Sequence, residues 1–572
     1  MYGGANKKQG LPPTVCLGQY SNRIIQFKAG YCRCILANTP TPTNNCYPYT
    51  FCNNAEFRQA FNNWFINKQA VINKYGTMTN WNTGNITDMS LLFGAGTVLE
   101  NGNLVPTIYA STFTGTNPDE LIGNWNTSSV TNMSGMFQGA NSFNPPSLSF
   151  NTSKVTDMSN MFWNAFAFNQ PLSFDTRNVT NMSGMFYMFF LDEKDNILIP
   201  SAFNQPISFN TSKVTDMNNM FYGASSFNQP ISFDTSKVTD MNNMFYGASV
   251  FNQPISFDTS KVTDMNSMFS NASLFNQPIS FDTRNVTNMR SMFSGASVFN
   301  QPISFNTIKV IDMYNMFGGA SAFNQPISFD TSKVTDMIFM FYGASVFNQP
   351  ISFNTSNVTD MSFMFQFASV FNQQISFNTS NVTDMSYMFS GASVFNQPIS
   401  FDTRNVTNMR SMFGGASAFN QPISLSDTSN VTDMSGMFLD ASAFNQPVLF
   451  NTSNVTNMNG MFANASAFNQ PISFDTSKVT DMNNMFYGAS SFNQPISFNT
   501  SNVTNMSGMF NGASAFNQDI STWVVTQKPS ISDMFTNSGI PVFPYTNNNQ
   551  IYNTWLNNPY TNAELVNAGL HI

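Results

Sequence analysis

Histidine is almost missing from this chain: His571 is the single one in 572 residues. Zinc sites and imidazole acid–base chemistry are therefore nearly excluded on inventory alone. Charge is scarce as well, at 9% of residues against roughly 25% in ordinary soluble domains. The formal net charge of −8 is small for the length, so neither nucleic acid nor an anionic membrane is a natural partner. No run approaches the ~20 apolar residues that span a bilayer, which argues against direct membrane insertion. The opening MYGGANKKQGLPPTVC has no apolar segment of the kind a secretory signal needs. Phosphate loops, dinucleotide fingerprints and nucleophile elbows are also missing. The expectation is a non-enzyme with no catalytic, cofactor or metal site.

Cysteine is confined to the first 52 residues, as Cys16, Cys32, Cys34, Cys46 and Cys52. Zinc-type paired spacing is not clear there. These five are candidate disulfide cysteines stapling an irregular leader over 1–54, with one thiol left over; free thiols and a metal knot are the other readings.

What the chain has in abundance is phenylalanine, 61 residues, and methionine, 37. They recur in a fixed unit, FNQPISFDTSKVTDMNNMFYGASV at 227–250. The opening phenylalanine returns every 24 residues from Phe203 to Phe419, and again from Phe444 to Phe516 after one inserted residue near Ser426. A fixed period in this range marks a solenoid, in which no single repeat can bury its own apolar face and each depends on its neighbours.

Within a coil, Met241, Met244, Phe245 and Ala248 fall at i, i+3, i+4 and i+7, the spacing of a short helix. Thr239 is placed to cap it and Gly247 to end it. Ile255 and Phe257 alternate with Pro254 and Ser256 as in a short strand, and Asp258-Thr259-Ser260 reads as a turn. The fold class expected is thus an α/β solenoid of about 17–18 coils, each a short parallel strand plus a short helix. A capping helix is expected over 55–76, with Phe57, Phe61, Trp64, Val71, Ile72 and Tyr75 on one face. The solenoid follows over 77–538, with insertions near 94–123 and 187–202, and a C-terminal cap over 539–572.

Two polar features run along the repeat. The turn aspartates Asp234, Asp258 and Asp282 would stack about 5 Å apart, with Lys237, Lys261 and Arg284 placed to neutralise them. Threonine columns at Thr211, Thr235, Thr259 and at Thr215, Thr239, Thr263 suggest a periodic ligand such as polysaccharide or ice. One position breaks the evenness. The residue before the second methionine is usually Asn, Ser or Gly but becomes Phe339, Phe363 and Tyr387 in successive coils, with Ile338 and Phe367 nearby. These five residues are the candidate partner patch.

The pattern NTSNVTDMSxMFxGASxFNQPIS resembles the repeat of BspA-like leucine-rich-repeat surface proteins, a family with members in mycoplasmas, algae, other protists and large DNA viruses. The resemblance implies a leucine-rich-repeat-like, right-handed solenoid. It also implies attachment or protein interaction rather than catalysis. The expected function is a structural or adhesive protein, an elongated interaction scaffold on a virion or cell surface, with protein partners or glycans. The alternative is a binding module for a repetitive ligand.

Overall fold

A computed structural model describes the backbone at 23–28 and 31–36, and residues 49–94, 112–189, 200–525, 527–540, 551, 553–556 and 560–570. Cys16 and Cys46, the side chains of Cys32 and Cys34, and most of both insertions lie outside the described residues. The leader, expected to be irregular, contains an antiparallel hairpin of β1 (Arg23–Lys28) and β2 (Tyr31–Leu36). The chain forms two compact units, Met1–Asp240 and Met241–Ile572. Each contains coils stacked in register.

The coil from Met241 shows how stacking is achieved. Its apolar side chains are buried as expected: Met241, Met244, Phe245, Ala248 and Phe251 at 0% exposure, Ile255 and Phe257 nearly so. The expected helix, however, is replaced by successive tight turns. Met244, Tyr246 and Ala248 donate their amides three residues back, to Met241, Asn243 and Phe245. Asn243 and Gly247 have φ of 52° and 65°, positive at the third position of a turn, as in type II. The intervening amides of Met241, Asn243, Phe245 and Gly247 donate to Asp264, Asn266, Met268 and Ser270 of the following coil, at 2.7–3.2 Å. An α-helix would have bonded those amides internally, four residues back. Two turns of this geometry bury i, i+3, i+4 and i+7 together, and so imitate a helical pattern.

The parallel ladder also lies elsewhere than expected. Single parallel bridges join the Asp or Asn before the first methionine from coil to coil, as in Asp264↔Asn288↔Asp312↔Asp336. The Ile-Ser-Phe segment forms named strands only at β3 (Ile399–Phe401) and β4 (Ile423–Leu425), paired in parallel. Elsewhere it is not assigned as strand, though isoleucine and phenylalanine are still buried and serine exposed. Its rings still stack on one another, Phe257 on Phe281 at 6.5 Å, beside the Phe245–Phe269 and Phe251–Phe275 stacks.

The FNQ signature has a structural reason. Asn252 Oδ1 accepts from the Asn276 amide at 3.0 Å and from Gln277 Nε2 at 3.1 Å, and the pattern repeats from Asn276 to Asn300 and beyond. The first threonine column is buried. Thr259 Oγ1 donates to the Asp282 carbonyl at 3.0 Å, and Thr211 and Thr235 are 1% exposed. These hydroxyls join coils internally, so this column offers no surface to ice or glycan. The second column lies outside, its hydroxyls turned to carbonyls of the preceding coil, as for Thr287 on Thr263 at 3.2 Å.

In the N-terminal unit the expected single helix is two, α1 (Asn54–Ile66) and α2 (Lys68–Tyr75). Asn67 divides them because its side chain accepts from the Ala70 amide at 3.1 Å and restarts the helix. Asn53 caps α1, accepting from Glu56 at 2.9 Å. Phe57 and Trp64 pack edge-on against Trp81 of the first coil, and Phe61 against Phe93. The described end of the first insertion joins them, with Glu120 accepting from Trp64 Nε1 and Lys68 Nζ, both at 3.0 Å.

In the second unit the final coil is closed by α3 (Asn562–Asn567). The amides of Asp533 and Phe535 donate to Asn567 and Ala568, so this segment stands where another coil would. Lys528 pairs with Glu564 at 2.7 Å and, with Thr561, holds that carboxyl down to about 2.

Candidate functional site

The positions that take φ > 0 explain the variable column. Asn, Ser and Gly occupy it because a left-handed backbone is least costly for Gly and tolerable for short polar residues. Phe339, Phe363 and Tyr387 adopt it too, with φ of 59°, 61° and 58°. Phe367 adopts it at 58° in the second left-handed column, one coil before Gly391. Among the described residues these are the four aromatics with positive φ. A bulky side chain there is a backbone outlier, and four occur in three successive coils of one unit.

The structure brings these rings together. Phe339 stacks on Phe363 at 4.5 Å, and Phe363 on Tyr387 at 4.8 Å. Phe367 is half exposed, lies edge-on to Tyr342 at 5.8 Å, and covers Gly391, where a Cβ would meet its ring at 2.4 Å. Ile338 is different: it is half-buried, and it contributes a backbone bond, accepting from the Asn315 amide at 2.8 Å.

Sequence reading missed four members of the cluster. Tyr314 and Tyr342 meet Phe339 edge-on at 5.6 and 5.4 Å. Arg290 lies over Tyr314 at 3.7 Å, and Arg410 lies 5.9 Å from Tyr387. Arg290–Tyr314–Ile338 is itself a column of successive coils, so comparing neighbouring columns would have exposed it. The result is an aromatic ladder with a guanidinium at each end.

Electrostatics around it are mild. Burial raises the Asp336 carboxyl above its usual value, and neighbouring Asp312 and Asp360 add to this against the opposing pull of Arg290. On the turn edge, hydroxyls matter more than the expected lysines: Ser260 does most to lower Asp258, and Lys261 contributes less. Arg284 does bind Asp282, at 2.7 Å. Among the described residues, no cluster of three or more His, Cys, Asp or Glu could hold a metal ion. No described helix is long and apolar enough to cross a membrane. Cys52 is half-buried beside α1, its amide donating to Glu56 Oε2 at 3.1 Å.

Among curated proteins, none matches the chain. Among solved structures, the crystal structure of a TLR13–ssRNA13 complex matches at 11% identity and a TM-score of 0.17, over 72% of this chain and 66% of that one. So low a score carries no argument about fold or ligand. The family described as Mycoplasma protein of unknown function, DUF285, matches in overlapping tandem at 109–196, 194–303, 256–352, 280–376, 328–401, 351–449, 399–474 and 448–555. With the repeat covered from 109 to 555, the chain belongs to the DUF285 family of repeat proteins.

Proposed function

We propose that the protein is a non-enzymatic interaction scaffold, displayed on a cell or virion surface, that docks a protein partner through the ladder Phe339–Phe363–Tyr387 and its flank at Tyr342 and Phe367. One observation carries this reading: the aromatics occupy left-handed positions that neighbouring coils give to Gly, Asn or Ser. Strain of roughly 1–2 kcal/mol per such residue is kept where something offsets it, and stacking alone returns about 0.5–1.5 kcal/mol per pair. Partner burial of exposed rings supplies the remainder, as aromatic anchors commonly do at interfaces. The even surface of the other coils suits a frame that holds this strip in place.

The test uses Phe363→Ser, because serine already stands in this column at Ser411 with φ of 49°. The full chain should retain a discrete protein from isolated surface material. Phe363→Ser should retain at least tenfold less, while Val298→Ser, an exposed apolar control away from the ladder, should change nothing. Equal retention by Phe363→Ser and wild type removes the ladder from the interface.

A further inference from the structure

Past Tyr387 the face that carries the ladder sinks into a groove of about 460 Å³. The cause is in the columns. The left-handed position that holds Phe363 and Tyr387 continues as Ser411, Gly436 and Gly460 before Asn484 refills it. A Cβ at Gly460 would meet nothing nearer than Ala463 Cβ at 3.9 Å, so the floor there is open backbone.

Two groups in the groove lack a hydrogen-bond partner or an ion pair. Ser435 lines it, is 6% exposed, and its hydroxyl has no hydrogen-bond partner. Buried polar groups are almost always satisfied, so an unpartnered hydroxyl in the wall of a groove calls for a partner. Arg410 forms the wall. Its counterpart Arg290 is paired with Asp312 at 3.6 Å and Asp336 at 3.9 Å. For Arg410 the Asp312 position is kept as Asp433 and the Asp336 position becomes Asn457, and among the described residues Arg410 forms no ion pair. The opposite wall has Tyr487, 42% exposed, with the carboxamides of Asn459 and Asn464 between.

We infer that this groove binds a carboxylated saccharide unit, of the uronic-acid type. A single guanidinium outside any ion pair suits one planar carboxylate, which it meets through two parallel N–H bonds. Carboxamides and a buried hydroxyl match the mixed donor and acceptor edge of a sugar ring, and an exposed tyrosine matches its C–H face. A hydrocarbon would leave Ser435 unsatisfied, and a multiply charged phosphate would find one cation only. This site does not depend on the docking role of the ladder.

Titration calorimetry of the full chain with tetragalacturonate tests the assignment. We expect saturable binding, weakened at least tenfold for the carboxyl-reduced tetrasaccharide and for Arg410→Gln. Gly460→Asn should abolish it by filling the groove, and should fold, since Asn484 and Asn315 take the same backbone at φ of 54° and 55°. Arg290→Gln and Phe363→Ser should bind as wild type does. Absence of binding by the wild-type chain, or binding that survives both Arg410→Gln and Gly460→Asn, overturns the proposal. Tighter binding of a glutamate-rich peptide at the same residues also overturns it, and gives the groove to a protein partner.

Discussion

At the scale of single residues, two kinds of position that look alike in the repeat have opposite energetics. Phe365 is fully buried and stacks between Phe341 at 5.5 Å and Phe389 at 5.7 Å. Phe365→Ala should cost about 3–5 kcal/mol in chemical unfolding. Phe363, two residues away, sits half-buried in a left-handed backbone. Phe363→Asn exchanges stacking for relief of strain, so its stability should stay within about 1 kcal/mol of wild type. Asn372 is the third case. Its Oδ1 accepts from the Asn396 amide at 2.9 Å and Gln397 Nε2 at 3.0 Å. Asn372→Ala strands both donors between coils and should cost about 1–3 kcal/mol, although it removes no apolar contact.

At the scale of the element, the coil was legible in part. Period, core residues and the Asp-Thr-Ser turn could be read because they depend on spacing and on side chains that bond their own backbone. Met241, Met244, Phe245 and Ala248 misled because burial periodicity reports which side chains face inward, not which carbonyl each amide finds. The signal that separates turns from helix was present in the Asn and Gly at positions 243 and 247, which a helix interior disfavours. Asn67 is a similar case, since only its bond to Ala70 shows that it divides the capping helix. The ladder was half visible: Phe363 and Tyr387 stand out by type, whereas Arg290 and Tyr314 acquire meaning only once adjacent columns are laid side by side.

The bridge column gives the element a pH signature. Asp336 has its folded pKa raised, so the folded state holds its proton more tightly than the unfolded chain. Its contribution to stability is therefore greatest below the ordinary carboxylate value and declines as pH rises through the window just above it. Asparagine already makes the same bridge at Asn288 and Asn408. Asp336→Asn should unfold at a higher temperature than wild type at pH 7, and the pH-dependent part of that gain should vanish below about pH 4.

At the scale of the molecule, what each unit shares is registry. Phenylalanine meets phenylalanine, each FNQ asparagine receives the next coil's amide, and buried threonines bond across. Low charge fits this arrangement, because like charges repeated every coil would repel along the stack. Stability in such arrays is a sum of coil and interface terms, so a lesion at one interface should loosen its neighbours first. The most direct check is paired cysteine substitution, read by mass spectrometry of the linked peptides. Ser369 Oγ lies 3.1 Å from the Ser345 carbonyl, one coil away. Ser345→Cys with Ser369→Cys should form a disulfide rapidly on mild oxidation, and Ser345→Cys with Ser356→Cys, half a coil away in sequence, should not. Equal rates for the two pairs, or none for the first, would contradict stacking in register.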